Sequence, residues 1–184
     1  MNNLDSLYVL VVDDNSHMRA IVVAILRGAG IGIVKEASDG ADAMELMRAG
    51  APDIVIVDLN MFPIDGLEFT KMTRTAVDSQ FPFVPIIMMT GHTERSKVLE
   101  ARDAGVNEIV AKPISAKTLL DRIVAVIKQP RGFIKTSSYT GPCRRRNSGL
   151  KDYSGPRRRK SDMEKNVKLE KCPIQEIVES SVQS

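Results

Sequence analysis

Leu7-Tyr-Val-Leu-Val-Val-Asp-Asp14 and Ile54-Val-Ile-Val-Asp58-Leu-Asn-Met61 decide the fold between them. Each is an apolar run that stops at a carboxylate, and neither alternates polar with apolar residues. Runs of this kind predict strands covered on both faces, as in a parallel sheet. Pro85–Met89 and Glu108–Ala111 read the same way, and Gly32–Ala37 is a weaker fifth run. Helix-period segments lie between them. Asn15 or Ser16 can cap a helix through Met18, Ile21, Val22, Ile25 and Leu26 that stops at Gly28–Gly30. Further helices are predicted over Gly40–Ala49, from Gly66 to about Thr75, over Thr93–Ala104 and over Ser115–Lys128. The last carries Leu119, Leu120, Ile123, Val124 and Ile127 as one stripe. Five strand–helix units define an α/β fold, a five-stranded doubly wound parallel sheet occupying residues 1–130.

In such a sheet the ligand site lies beyond the carboxyl ends of the strands. Asp13 and Asp14 follow the first strand, Asp58 the third, Thr90 the fourth and Lys112 the fifth. Carboxylates gathered in one crevice repel one another unless a cation joins them, and oxygen ligands suit Mg²⁺. Lys112 can neutralise a transferred phosphoryl group, the Thr90 hydroxyl can hydrogen-bond it, and Asp58 is placed to be the nucleophile.

At these residues the chain resembles the receiver domain of bacterial response regulators, the CheY-like family. VVDD, IVIVDLNM, the Asp65–Gly66 pair, MMTG and AKP carry the resemblance over about Leu7–Lys128. It implies a flavodoxin-like receiver with Asp58 as phosphoacceptor and Thr90 and Lys112 on the phosphoryl oxygens. It also implies Asp14 as principal Mg²⁺ ligand, Asp13 acting through water, Asn60 offering its backbone carbonyl, and a cis bond at Lys112–Pro113. Two positions depart from the family pattern. Ile109 stands where an aromatic residue is usual, and Phe62 stands where proline is usual, with Pro63 one place later. The expected partners are a histidine kinase or phosphotransfer donor and the flagellar motor switch, met through Thr93–Ala104 and Ser115–Lys128.

Composition agrees with a globular signalling domain: 43% apolar and 27% charged residues exclude a low-complexity chain, and no apolar run reaches the length of a membrane span. The start of the chain lacks a basic segment before its first apolar run and does not read as a signal peptide. Cys143 and Cys172, with two histidines in all, form no zinc pattern, so a reduced cytoplasmic protein is expected, with recruitment to the flagellated pole a further expectation.

The net charge of +3 conceals an asymmetry: residues 1–130 carry −4, residues 131–162 carry +8 and residues 163–184 carry −1. Beyond Lys128 helical periodicity stops and Gly, Pro and Ser become frequent. By itself this basic tail is expected to be largely disordered and to fold on a ligand. It contains a repeat. Tyr139-Thr-Gly-Pro-Cys-Arg-Arg-Arg146 recurs as Tyr153-Ser-Gly-Pro-Arg-Arg-Arg-Lys160. Guanidinium forks bind phosphate, pair with guanine and stack on bases, tyrosine adds stacking surface, and Gly-Pro sets a turn. Together they point to a guanine-bearing phosphate ligand with two like halves.

Receiver plus paired Y-x-G-P-x-R-R segments is similar to the Cle proteins, CheY-like effectors of cyclic di-GMP. That resemblance implies that residues 131–162 wrap cyclic di-GMP, with Tyr139, Arg144, Arg145, Arg146, Tyr153, Arg157, Arg158, Arg159 and Asp162 in contact, and that the liganded protein regulates the flagellar motor. The alternative is a single-domain response regulator driven by Asp58 phosphorylation alone, its tail a non-specific polycation. Residues 163–184 read as a C-terminal tail with a short helix beginning at Pro173. No segment after the receiver reads as helix-turn-helix, so DNA is not an expected partner. An enzyme is not expected either, beyond phosphoryl chemistry at Asp58.

Overall fold

A computed structural model describes residues 4–75, 79–91, 95–135, 139–143 and 168–170. After a 3₁₀ turn at Leu4–Ser6, the chain runs β1 (Tyr8–Val12), α1 (Ser16–Gly28), β2 (Ile33–Ala37), α2 (Gly40–Ala49), β3 (Ile54–Asp58), α3 (Gly66–Thr75), β4 (Ile86–Thr90), α4 (Arg95–Ala104), β5 (Glu108–Ala111) and α5 (Ala116–Lys128). The strands form one parallel sheet in the order β2-β1-β3-β4-β5.

Every residue of β1, β3 and β4 is buried, whereas the edge strands β2 and β5 are part exposed. Successive side chains of a strand point to opposite faces, and the core divides accordingly. Val9, Val11, Ile54, Ile56, Ile87 and Met89 pack with Val22 and Leu26 of α1 and Leu119 and Ile123 of α5. Leu10, Val12, Val55, Val57, Ile86 and Met88 pack on the other face with Met47, Leu67, Phe69 and Ala101 of α2–α4. Apolar runs without alternation are what a sheet covered on both sides requires. The helix ends are set locally: Asn15, Asp39 and Ser115 accept from backbone N–H groups in the first turns of α1, α2 and α5. Two expected core positions do not hold. Ile21 and Val124 are exposed: α1 buries Val22, Val23 and Leu26, and α5 buries Leu119, Ile123 and Val126, an i, i+4, i+7 line on the face turned to the sheet.

Three further strands, β6 (Phe133–Lys135), β7 (Thr140–Pro142) and β8 (Lys168–Glu170), lie beyond the boundary drawn at residue 130. They form an antiparallel sheet in the order β7-β6-β8, with Phe133 opposite both Pro142 and Glu170. The sequence reading did not anticipate them, because three-residue strands are too short to carry a period and Gly and Pro are poor strand formers. The receiver supplies what the local sequence lacks. Phe133 is fully buried, its ring edge-on to Phe83 at 5.5 Å and beneath the Arg74 guanidinium at 5.0 Å. Arg74 is itself buried and donates to the carbonyls of Gly105 and Pro82 and to the Asn107 side chain. Arg131 ties the carbonyls of Cys143 and Asn107 together. Gly105 ends α4 at φ +102°, and a Cβ there would come within 2.9 Å of the Thr140 carbonyl. Phe83 and Asn107 precede β4 and β5, so this small sheet caps the base of the receiver. The second cassette, the arginines 144–146, Asp162 and the expected helix at Pro173 lie outside the described residues.

Candidate functional site

Because the five strands are parallel, the residues at their carboxyl ends share one edge, at the end of the sheet opposite the small sheet. β1 runs into Asp13 and Asp14, β3 ends on Asp58, β4 ends on Thr90 and β5 is followed by Lys112. The order reverses between β1 and β3, where a crevice opens in doubly wound sheets. Asp13, Asp58 and Thr90 are buried, Asp14 is exposed, and the carboxylate oxygens of the three aspartates lie within 4.8 Å of one another. Lys112 Nζ sits 3.1 Å from Asp13 Oδ2 and 3.0 Å from Asp58 Oδ1. Its backbone N–H donates to the Thr90 carbonyl, which holds the β5–α5 loop against β4.

Burial pushes the Asp58 carboxyl above the ordinary carboxylate range, Lys112 pulls it back and the neighbouring Asp13 adds to the rise. Burial would lower the Lys112 ammonium, but the contacts with Asp58 and Asp13 outweigh it and the net shift is upward. Asp58 Oδ1 is buried and makes no well-directed hydrogen bond; its contact with Lys112 has the distance of one but not the angle. A nearly unsatisfied buried oxygen among three clustered carboxylates is a donor set that fits a small, hard, oxygen-seeking dication. Asp13, Asp14 and Asp58 are the side chains that would hold Mg²⁺, which supplies positive charge against phosphoryl oxygens when bound. Asn60 is exposed in the β3–α3 loop, two residues past Asp58.

Gly66 is needed here for a local reason. It opens α3 directly over Asp58, and a Cβ there would collide with the Asp58 carbonyl oxygen. Both Lys112–Pro113 and Phe62–Pro63 are cis. Phe62 projects into solvent, 83% exposed, and Ile109 packs in part against the α2–α4 face of the core. Sequence reasoning missed Arg19 and Glu36. Arg19 Nη1 donates to the Asp13 carbonyl at 2.8 Å and Nε meets Glu36 at 3.3 Å, a pairing from α1 to β2 that no motif signalled. Of the residues expected to read a nucleotide, Tyr139 lies among those described; it is half-buried and its hydroxyl donates to the Pro142 carbonyl.

A doubly wound parallel sheet with an acid cluster, a lysine and a threonine at its strand ends is the arrangement of a signalling receiver module. The response regulator receiver domain family matches residues 9–124, and the chain belongs to that family. It is 35% identical to the chemotaxis protein CheY-3 of Vibrio cholerae over 66% of this chain and 92% of that protein. It is 33% identical to the chemotaxis protein CheY of Pseudomonas aeruginosa over 67% of this chain and 98% of that one. Among solved structures, CheY4 of Vibrio cholerae superposes with a TM-score of 0.61 at 35% identity, covering 65% of this chain and 98% of its own. These relatives align with the receiver. Among the described residues no helix is long and apolar enough to cross a membrane.

Proposed function

We propose that this CheY-type receiver accepts a phosphoryl group at Asp58 and couples that event, through its basic tail, to cyclic di-GMP in control of the flagellar motor. The observation that carries the first half is the contact of Lys112 with both Asp58 and Asp13 in the acid cluster. An oxygen of Asp58 bonds to phosphorus as the P–N bond of a phosphohistidine donor breaks and the donor imidazole leaves. The product is an acyl phosphate whose oxygens can take over the Lys112 ammonium and the Thr90 hydroxyl. The names of the chemotaxis relatives support a place in chemotaxis signalling; a histidine kinase or phosphotransfer donor upstream, the motor switch downstream and recruitment to the flagellated pole complete the proposal.

The second half rests on the duplicated cassette, Tyr139–Arg146 and Tyr153–Lys160. Its first copy begins at Tyr139 and runs through β7 against the base of the receiver, which supports a link between this segment and the body it must report to. Titration calorimetry at rising salt tests this half. A guanine-reading tail prefers cyclic di-GMP to cyclic di-AMP at every salt concentration, whereas a plain polycation loses both together. Swimming assays set the two halves against each other: Arg144→Ala with Arg158→Ala should be the more severe change and Asp58→Asn the milder. The opposite order makes the protein a phosphorylation-driven regulator with an electrostatic tail.

A further inference from the structure

We infer that Arg19 is a positioning residue for the metal-binding loop, holding Asp13 and Asp14 in place through the main chain. The loop between β1 and α1 has to present an exposed Asp14 carboxylate beside two buried ones. Each polar group of Asp13 is already committed. Its N–H donates to the Ala37 carbonyl, Oδ1 accepts from the Asn15 N–H, Oδ2 from Lys112 and the backbone carbonyl from Arg19. The last of these orients the Asp13–Asp14 peptide, and the residue that makes it comes from the first turn of α1. Arg19 reaches back over that turn with its side chain 18% exposed and is braced from β2 by Glu36, 46% exposed. A planar fork can serve two acceptors on different elements at once, which an ammonium cannot do with the same rigidity. Groups that orient ligands from behind are worth about 10- to 100-fold in metal affinity where they have been removed.

The direction of the effect separates positioning from charge. Taking a cation away from an acid cluster should by Coulomb's law alone tighten Mg²⁺ binding, whereas loosening the loop should weaken it. The inference rests on the acid cluster being a Mg²⁺ site, which the unaltered chain tests first. Calorimetric titration of the full chain with Mg²⁺ alone should give saturable binding that Asp14→Asn abolishes. Absence of that binding ends both readings. Given that binding, Arg19→Ala should raise the Mg²⁺ Kd by about 10-fold. Arg19→Lys, which keeps the charge and loses the fork, should raise it by a smaller factor. Melting in EDTA is read alongside, because a merely structural role lowers the melting temperature and leaves the Kd in place. A Kd in Arg19→Ala that is unchanged or lower overturns the inference. Should that variant not fold, Arg19→Lys decides it: a Kd equal to that of the unaltered chain is equally fatal.

Discussion

Asp58 is where the fold and the chemistry pull against each other. Its carboxyl is buried beside Asp13, and burial raises its pKa while the Lys112 ammonium draws it part of the way back. For an acid whose folded pKa lies above its unfolded one, stability is highest below the unfolded value and declines as pH rises through the folded value. Asp58→Asn removes that decline. In EDTA the variant should match the unaltered protein in mild acid and melt higher at pH 7. Thermal denaturation across that range checks it, and Mg²⁺ should narrow the gap. Lys112 follows the same sign in a different pH window, because its raised pKa means that its contribution persists through neutral pH and is lost only in strong alkali. Lys112→Met should destabilise the metal-free protein at pH 7 by about 3–5 kcal/mol, since it leaves two buried carboxylates without their cation. Urea denaturation at pH 7 measures it directly.

At the scale of elements, α3 and the small base sheet show how two glycines admit close approaches that a β-carbon would block. Gly66 lets α3 begin over the Asp58 carbonyl, and Gly105 ends α4 where β7 presses in. Phe133 is the anchor of that second contact, with no exposed surface and two aromatic or cationic neighbours. Phe133→Ala should cost about 3–5 kcal/mol by opening a cavity in the core. Amide exchange should then rise in β6 and β7 while β1 and β3 stay protected relative to global unfolding, which hydrogen-exchange measurements resolve. Uniform loss of protection over all strands would mean that the small sheet and receiver unfold as one unit.

For the whole molecule, the consequence is that the receiver does not end where its family pattern ends. The match stops at residue 124, yet Phe133 belongs to the same core as Val9 and Leu119. A chain cut after residue 130 should therefore melt lower than the full chain by several degrees, because it exposes Arg74 and Phe83 at the base. A scanning calorimetry comparison of the two chains tests this. The asymmetry of charge is also molecular in scale: an acidic body bears a basic segment, and part of that segment is tied to the end of the sheet opposite the acid pocket.

The amino-acid sequence by itself determined the parallel sheet, the five helices and the set of strand-end residues. Unalternating apolar runs between capped amphipathic helices have one economical arrangement, and in a parallel sheet position in a strand dictates which edge a residue reaches. Asp13, Asp14, Asp58, Thr90 and Lys112 were legible for that reason. Tertiary structure alone decided that Val126 and not Val124 faces the sheet, that Lys112 bridges two carboxylates, and that Arg19 grips the Asp13 carbonyl from behind. It also decided that Phe133-Ile-Lys135 and Thr140-Gly-Pro142 are strands, since three residues hold no periodicity and their order comes from partners distant in sequence: Arg74, Phe83 and Gly105.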